Sequence, residues 1–228
     1  MPEHKESRRR ATFVSSEAEK RLLLWLAPRL PSRLLPDHFT LIGILGSCLV
    51  TFAYLMSNQS AGWLWFASAG FIVNWFGDSL DGTVARVRRI TRPRYGFYLD
   101  HLVDAFSTLA IGIGLGLSPY MLLSVGLAVV VAYLVLSINV YLESQVLGDF
   151  RFGYGVMGPT ETRLFLILLN TVAATLGPLP FAAFGVGATV FDLAGVAAAA
   201  VMMGMLARRV ARNLRHLGRL EPPNVRRD

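Results

Sequence analysis

Four aspartates within 27 residues sit at helical spacing: Asp78 and Asp81 are three apart, Asp100 and Asp104 four apart. Residues three or four apart share one face of an α-helix, so each pair turns two carboxylates to the same side. The first pair closes one apolar stretch and the second opens the next, so a returning loop lets the pairs converge. Converging carboxylates repel one another, and charge near a bilayer is expensive. A bound cation relieves both problems. The donors are all oxygen and the chain has a single cysteine, Cys48, so the ion expected is a hard one: magnesium, manganese or calcium. Four acids can hold two ions about 3.5–4 Å apart, the arrangement that clamps a phosphoryl group during transfer.

The neighbouring residues suit the same chemistry. Gly82 and Ala85 are small and let a ligand approach the backbone closely. Arg86 offers a planar fork matched to phosphate. The competing expectation is a ring of interfacial aspartates paired with Arg86, Arg88, Arg89, Arg92 and Arg94. Any single aspartate is compatible with that reading. All four, at these spacings and beside Gly82, Ala85 and Arg86, favour a site.

The elements that must position these residues follow from composition. Hydrophobic residues make up 54% of the 228-residue chain and charged residues 16%, where soluble proteins carry about 25% charged residues. Apolar stretches recur at about 39–56, 62–76, 98–117, 120–141, 164–175 and 189–206, which predicts an all-α integral membrane protein with six transmembrane helices. The second and fifth stretches are short for a span of about 20 residues, so helix must continue into their polar flanks. Lysine and arginine alternate with the spans. The segments around Arg86–Arg94, Arg151–Arg163 and Arg208–Arg219 are basic, whereas the connections at 57–61, 118–119 and 177–187 have no Lys or Arg. The positive-inside rule therefore places both termini and the aspartate-bearing loop on the cytoplasmic side of the cell membrane. The charged start of the chain and the interruption at Pro28, Arg29 and Pro31 argue against a cleavable signal peptide.

The net charge of +7 is read as attraction to anionic lipid or an anionic substrate rather than to nucleic acid. Residues 1–35 read as a basic cytoplasmic tail and an amphipathic surface helix, with Ser15 or Ser16 as cap and acids in the first turn. That helix lies either on the bilayer or against its own bundle. Residues 36–210 form the catalytic membrane domain, and 211–228 a basic cytoplasmic tail. No internal repeat is visible.

The run Asp78-x-x-Asp81-Gly82-x-x-Ala85-Arg86, nine residues, then Gly96-x-x-x-Asp100-x-x-x-Asp104 carries all eight fixed positions of a known signature. It resembles the CDP-alcohol phosphatidyltransferase family. That resemblance implies two magnesium or manganese ions held by Asp78, Asp81, Asp100 and Asp104, with Asp104 also acting as general base on an acceptor hydroxyl. It implies that Asp78, Asp81, Gly82, Ala85, Arg86 and Thr40 bind the CDP moiety, and that CMP leaves. It also implies a homodimer. Many members carry Pro-Asn-x-Leu/Ile-Thr before the first span; here the run is Pro36-Asp37-His38-Phe39-Thr40, so Thr40 is either a nucleotide contact or a helix-start residue. The motif reads cytidine diphosphate and not what is attached to it. CDP-diacylglycerol with a small alcohol acceptor is favoured, as in most bacterial-looking members of this size. The alternatives are transfer from a CDP-aminoalcohol or CDP-polyol to a lipid alcohol and, in another class, a non-catalytic metal-binding scaffold or carrier.

Other residues are weighed by position. Arg151, Glu161 and Arg163 are candidate acceptor or donor contacts, with Pro159, Thr160 and Glu161 equally at home in a helix start. Asn74, one turn before Asp78, either supports the site or bonds within the bundle. His101 points away from the Asp100–Asp104 face and is assigned to packing, although Asp100-His101 loosely resembles a run in eukaryotic choline and ethanolamine phosphotransferases. Cys48 is expected in the core. Asp192 has no partner evident in the sequence.

Overall fold

The computed structural model describes residues 16–147, 158–183 and 186–221. Within them the chain forms α1 (Ser16–Leu26), a 3-10 turn (Ala27–Arg29), α2 (Pro36–Met56), α3 (Trp63–Val87), α4 (Pro93–Gly116), α5 (Leu123–Leu147), α6 (Pro159–Leu176), strands β1 (Pro180–Ala183) and β2 (Val186–Thr189), and α7 (Val190–Leu220). Pro36, Pro93 and Pro159 each open a helix, where the missing N–H removes no hydrogen bond and φ is already set. The fold is helical as expected, apart from an antiparallel β1–β2 pair in register Pro180 to Thr189.

Helices α2, α4, α5 and α7 are each long and apolar enough to cross a bilayer, which makes this a multi-pass membrane protein. Six spans were expected from sequence; six long helices form, and α3 and α6 do not reach that apolar measure. The reason is their content: α3 carries Asn74, Asp78, Asp81 and Arg86, and α6 carries Glu161, Arg163 and Asn170. Both continue into the polar flanks as expected. α3 runs on to Val87 and α6 begins at Pro159. α7 continues as helix to Leu220, past residue 210. Outward faces remain apolar, with Leu45, Phe52, Ile72, Val131, Leu142 and Leu193 exposed, as suits helices solvated by lipid. Cys48 also lies exposed on α2, contrary to its expected core position, because an apolar stretch marks core and lipid faces alike.

In the bundle α2 packs on α3 and α4, α3 on α6, α4 on α5, and α5 on α7. Two buried clusters hold it. Val50, Tyr54, Leu64, Phe71, Tyr120 and Phe191 form one; Leu23, Ala27, Phe39, Leu80 and Val84 form the other, beside the aspartate end of α3. Buried polar groups tie helices together: Tyr54 Oη donates to Asn170 Oδ1 at 2.9 Å, and Asn170 Nδ2 to Ser68 Oγ at 3.3 Å. Asp192 is explained by the end of α7. Its carboxylate accepts from Thr189 N and Leu122 N, each at 2.7 Å, while Thr189 Oγ1 donates to Tyr120 O at 2.6 Å. It caps α7 and fastens the α4–α5 connection to it.

The α2–α3 contact depends on glycine. A β-carbon on Gly77 would press on the Gly43 nitrogen and the Phe39 carbonyl, and would lie 2.7 Å from Gly43 Cα. One on Gly46 would meet the Asn74 nitrogen and, at 2.7 Å, its Cα. Because those neighbours are backbone, the helices themselves must separate. Gly77→Ala should therefore destabilise the fold by about 1–3 kcal/mol, the usual range for overpacking. It should also lower the melting temperature of the purified protein and reduce activity, since Asp78 is the next residue. Gly204→Ala, whose β-carbon meets nothing within 4 Å, should melt no lower than the parent. Equal melting of Gly77→Ala and the parent would contradict this packing.

Candidate active site

Where α3 ends and α4 begins, a cavity of about 560 Å³ opens among α1, α2, α3, α4 and α6, within the size range of ligand sites. Its walls include Asp78, Asp81, Asp100 and Asp104, together with Thr40, Gly82, Ala85, Arg86, Gly96, Glu161 and Arg163. The two aspartate pairs thus converge on one space. Asp104 lies within electrostatic reach of Asp78, Asp100, Asp81 and Arg163. The charges of Asp78 and Asp100 also act on Asp81.

Asp81, Asp78 and Asp100 have different neighbours. Asp81 Oδ2 accepts from Thr40 Oγ1 at 2.8 Å, and Asp81 Oδ1 accepts from the backbone N–H of Gly82. Thr40 therefore does more than start a helix: it fixes the Asp81 rotamer from α2. Asp78 pairs with Arg163, whose Nη2 lies 2.7 Å from Oδ2. The same guanidinium donates through Nε to Asn74 Oδ1 at 2.9 Å. Asn74 in turn donates to Gly43 O at 3.0 Å and Ser47 Oγ at 2.9 Å. Asn74 thus serves both roles weighed for it, joining α2 to α3 and orienting Arg163 from α6. Asp100 is partly exposed, with His101 Nδ1 3.7 Å from its Oδ2. His101 packs between Phe97, tilted against it, and Tyr141, edge-on to it, at 4.1 and 4.4 Å between ring centres, and also lines the cavity.

Two loop arginines have partners other than the four aspartates. Arg88 donates to the carbonyls of Leu30, Pro31 and Leu34, tying the α1–α2 connection to the end of α3. Arg92 pairs with Asp37 on the cavity wall itself. Asp78 takes its cation from α6 and not from this loop, so a simple aspartate–arginine ring does not describe the site. Arg86 turns back along α3, with Nη2 3.1 Å from Thr83 Oγ1, and its Nη1 would lie 3.2 Å from a β-carbon on Gly82. Glycine at 82 gives that guanidinium its room.

Glu161 Oε2 accepts from Gly158 N at 3.1 Å, which is the helix-start role, and the residue also faces the cavity. Arg151 lies outside the described residues. Among the described residues, no three His, Cys, Asp or Glu side chains close into a ready metal cage. The donor chemistry nevertheless fits a hard divalent cation: four carboxylates share one cavity and each other's field.

The largest omission from the sequence reading is Glu19 of α1. Its Oε1 accepts from Trp75 Nε1 at 2.8 Å and Ser79 Oγ at 3.0 Å. Its Oε2 accepts from Thr160 Oγ1 at 2.9 Å. Glu19 reads in sequence only as an acid in a first helical turn, and no local pattern marks its partners on α3 and α6. With Leu23 buried, α1 is packed on its own bundle along this side, while Leu22, Leu24 and Trp25 remain exposed.

Comparison with known proteins matches the sequence to a family. A family model described as CDP-alcohol phosphatidyltransferase covers residues 33–207. Cholinephosphotransferase 1 of Danio rerio is 26% identical over 165 residues, covering 67% of this chain and 41% of that protein. The Gallus gallus protein of the same name is 29% identical over 168 residues, covering 67% and 47%. Archaetidylinositol phosphate synthase of Methanothermobacter thermautotrophicus is 31% identical over 140 residues, covering 61% and 67%. The matches span less than half the length of the two cholinephosphotransferases. With the family model spanning most of its length and the fixed residues gathered around one cavity, the chain belongs to the CDP-alcohol phosphatidyltransferase family.

Proposed function

We propose that this chain transfers a substituted phosphate group from a CDP-linked donor to an alcohol, releasing CMP, in phospholipid synthesis. The observation that carries this reading is the convergence of Asp78, Asp81, Asp100 and Asp104 on one cavity that also receives Gly82, Ala85 and Arg86. Asp78, Asp81, Asp100 and Asp104 would hold magnesium or manganese, with room in the donor set for two ions. When bound, the metal supplies charge neutralisation for the diphosphate and for CMP as it leaves. Thr40 holds Asp81 in place, and Arg163 with Asn74 holds Asp78. Gly82 and Ala85 leave space for the nucleotide, and Arg86 faces the diphosphate. Asp104 accepts the proton of the acceptor hydroxyl as that oxygen bonds to the phosphorus distal to cytidine. The bond from that phosphorus to the bridging oxygen breaks, and the oxygen leaves with CMP.

Loop charge supports six spans, with the site and both termini on the cytoplasmic side. The exposed apolar residues of α1 support its seating at the bilayer surface as well as on the bundle. Homodimerisation rests on the family resemblance alone. For the donor, CDP-diacylglycerol with a small polar acceptor remains the favoured pairing. Arg163, with Glu161 beside it and Arg151 nearby in sequence, are the candidate acceptor or donor contacts. A second reading, transfer from a CDP-aminoalcohol to a lipid alcohol, is favoured by the two cholinephosphotransferase relatives and by the Asp100-His101 pair. A carrier would be expected to show broken helices or paired halves, whereas α2–α7 are continuous and no repeat is evident.

Purified protein with metal, offered radiolabelled CDP-diacylglycerol and a panel of small alcohols, should release CMP and form labelled phospholipid. Parallel reactions offer CDP-choline or CDP-ethanolamine with diacylglycerol. Turnover only in the parallel reactions would replace the favoured donor with the second reading. Silence with every donor would sink the phosphotransfer assignment in favour of a scaffold.

A further inference from the structure

Helices α3 and α6 are joined across the cavity at two adjacent places. At one, Arg163 of α6 reaches Asn74 and Asp78 of α3. At the other, Glu19 of α1 takes Trp75 and Ser79 of α3 on one carboxylate oxygen and Thr160 of α6 on the other. Trp75 follows Asn74, and Ser79 follows Asp78; Thr160 lies three residues before Arg163 on α6. The carboxylate therefore locks the α3–α6 spacing at the level where the Arg163–Asp78 pair forms. Three neutral donors converge on a single side chain from a third helix. Leu23, one turn further along α1, anchors that helix in the cluster with Phe39, Leu80 and Val84. Glu19 and Leu23 both line the cavity, so α1 is one wall of the site rather than a tether outside it.

We propose that Glu19 is a positioning residue for phosphotransfer: it fixes α3 against α6 so that Arg163 holds Asp78 in its working orientation. This role rests on the function proposed above. Packing errors of about 1 Å away from the chemistry can lower rates by as much as 100-fold, so the register of two site helices is a sensitive quantity. The carboxylate acts here as an acceptor rather than as a reacting group. Glutamine can accept from Trp75 and Ser79 and donate to the Thr160 hydroxyl, so it can keep all three contacts without the charge.

The test uses the full chain, purified with metal, and measures kcat and KM for the CDP-linked donor on which the parent is active. Glu19→Ala should lower kcat/KM by about tenfold, within the range known for misplaced groups. Glu19→Gln should stay within about twofold of the parent, and Glu19→Ala should add no more than about twofold to the loss already caused by Arg163→Ala, because both changes act on one contact. A general loss of fold stability would instead multiply with Arg163→Ala. Should Glu19→Ala fail to assemble, Thr160→Val removes one donor while keeping the shape, with an expected drop of about threefold, the worth of one modest hydrogen bond. Parental kcat/KM in the assembled Glu19→Ala protein, or losses that multiply, would overturn the role while leaving the phosphotransfer reading intact. Failure of the parent to turn over any CDP-linked donor would overturn both.

Discussion

Asp104→Asn should lose turnover by a factor of roughly 100 to 10,000, the usual contribution of a positioned general base, while keeping much of its affinity for the CDP-linked donor. Asparagine preserves the shape and one coordinating oxygen but cannot take the acceptor's proton. Asp104 shares the cavity with the other three site carboxylates and Arg163, whose charges all act on it. Asp81→Asn makes the informative contrast. Its carboxylate is gripped by Thr40 from one helix and by the Gly82 amide of its own, and its proposed task is holding metal and donor. That variant should lose donor affinity and turnover together. Donor titration by calorimetry and single-turnover rates separate the two outcomes. If Asp104→Asn turns over at near the parental rate, Asp104 is not the base, and the mechanism fails even though the family assignment stands.

The aspartates were legible in the sequence because helical spacing is local. A three- or four-residue interval fixes a shared face before any tertiary structure is known, and the flanking apolar runs fix which ends meet. The true lengths of α3 and α6 were partly hidden for the same reason that makes them interesting. Their apolar signal stops where Asp78 and Arg163 begin, although the helix does not. What pattern could not supply were contacts between distant segments. Arg163 stood out as a basic residue near the site, but its pairing with Asp78 and Asn74 requires knowing that α6 lies against α3. Glu19 is the extreme case: its partners are 56, 60 and 141 residues away, and a glutamate in a first helical turn already has an ordinary explanation. Asp192 shows the converse. Intramembrane acids are often functional and no partner is evident for it in sequence, yet it is a cap whose second partner, Leu122, lies in the α4–α5 connection. The exposure of Cys48 reflects a limit of the membrane case, since lipid and core reward the same residues and hydropathy cannot tell inside from outside.

Removing divalent metal should abolish turnover, and returning magnesium or manganese should restore it. The cavity wall carries Asp78, Asp81, Asp100 and Asp104 with Glu19, Asp37 and Glu161 against Arg86, Arg92 and Arg163, and Arg163 and Arg92 are already engaged by Asp78 and Asp37. A donor diphosphate would bring further negative charge into the same space. Two unit charges about 4 Å apart interact by about 4 kcal/mol at an effective dielectric of 20, so each uncompensated pair is a large term against donor binding. The loss on chelation should therefore appear first in donor affinity, with calorimetry showing weak or absent binding of the CDP-linked donor in excess chelator. Metal alone, without donor, should raise the melting temperature, because an ion that binds only the folded carboxylate cluster stabilises it by mass action. The increment should shrink in Asp81→Asn, which removes one proposed ligand charge, and persist in Gly204→Ala, which touches nothing near the site. Full activity in excess chelator would sink the metal reading. A melting temperature unmoved by metal, alongside metal-dependent turnover, would instead mean that the ion enters with the donor diphosphate and that the four aspartates receive it only as part of that complex.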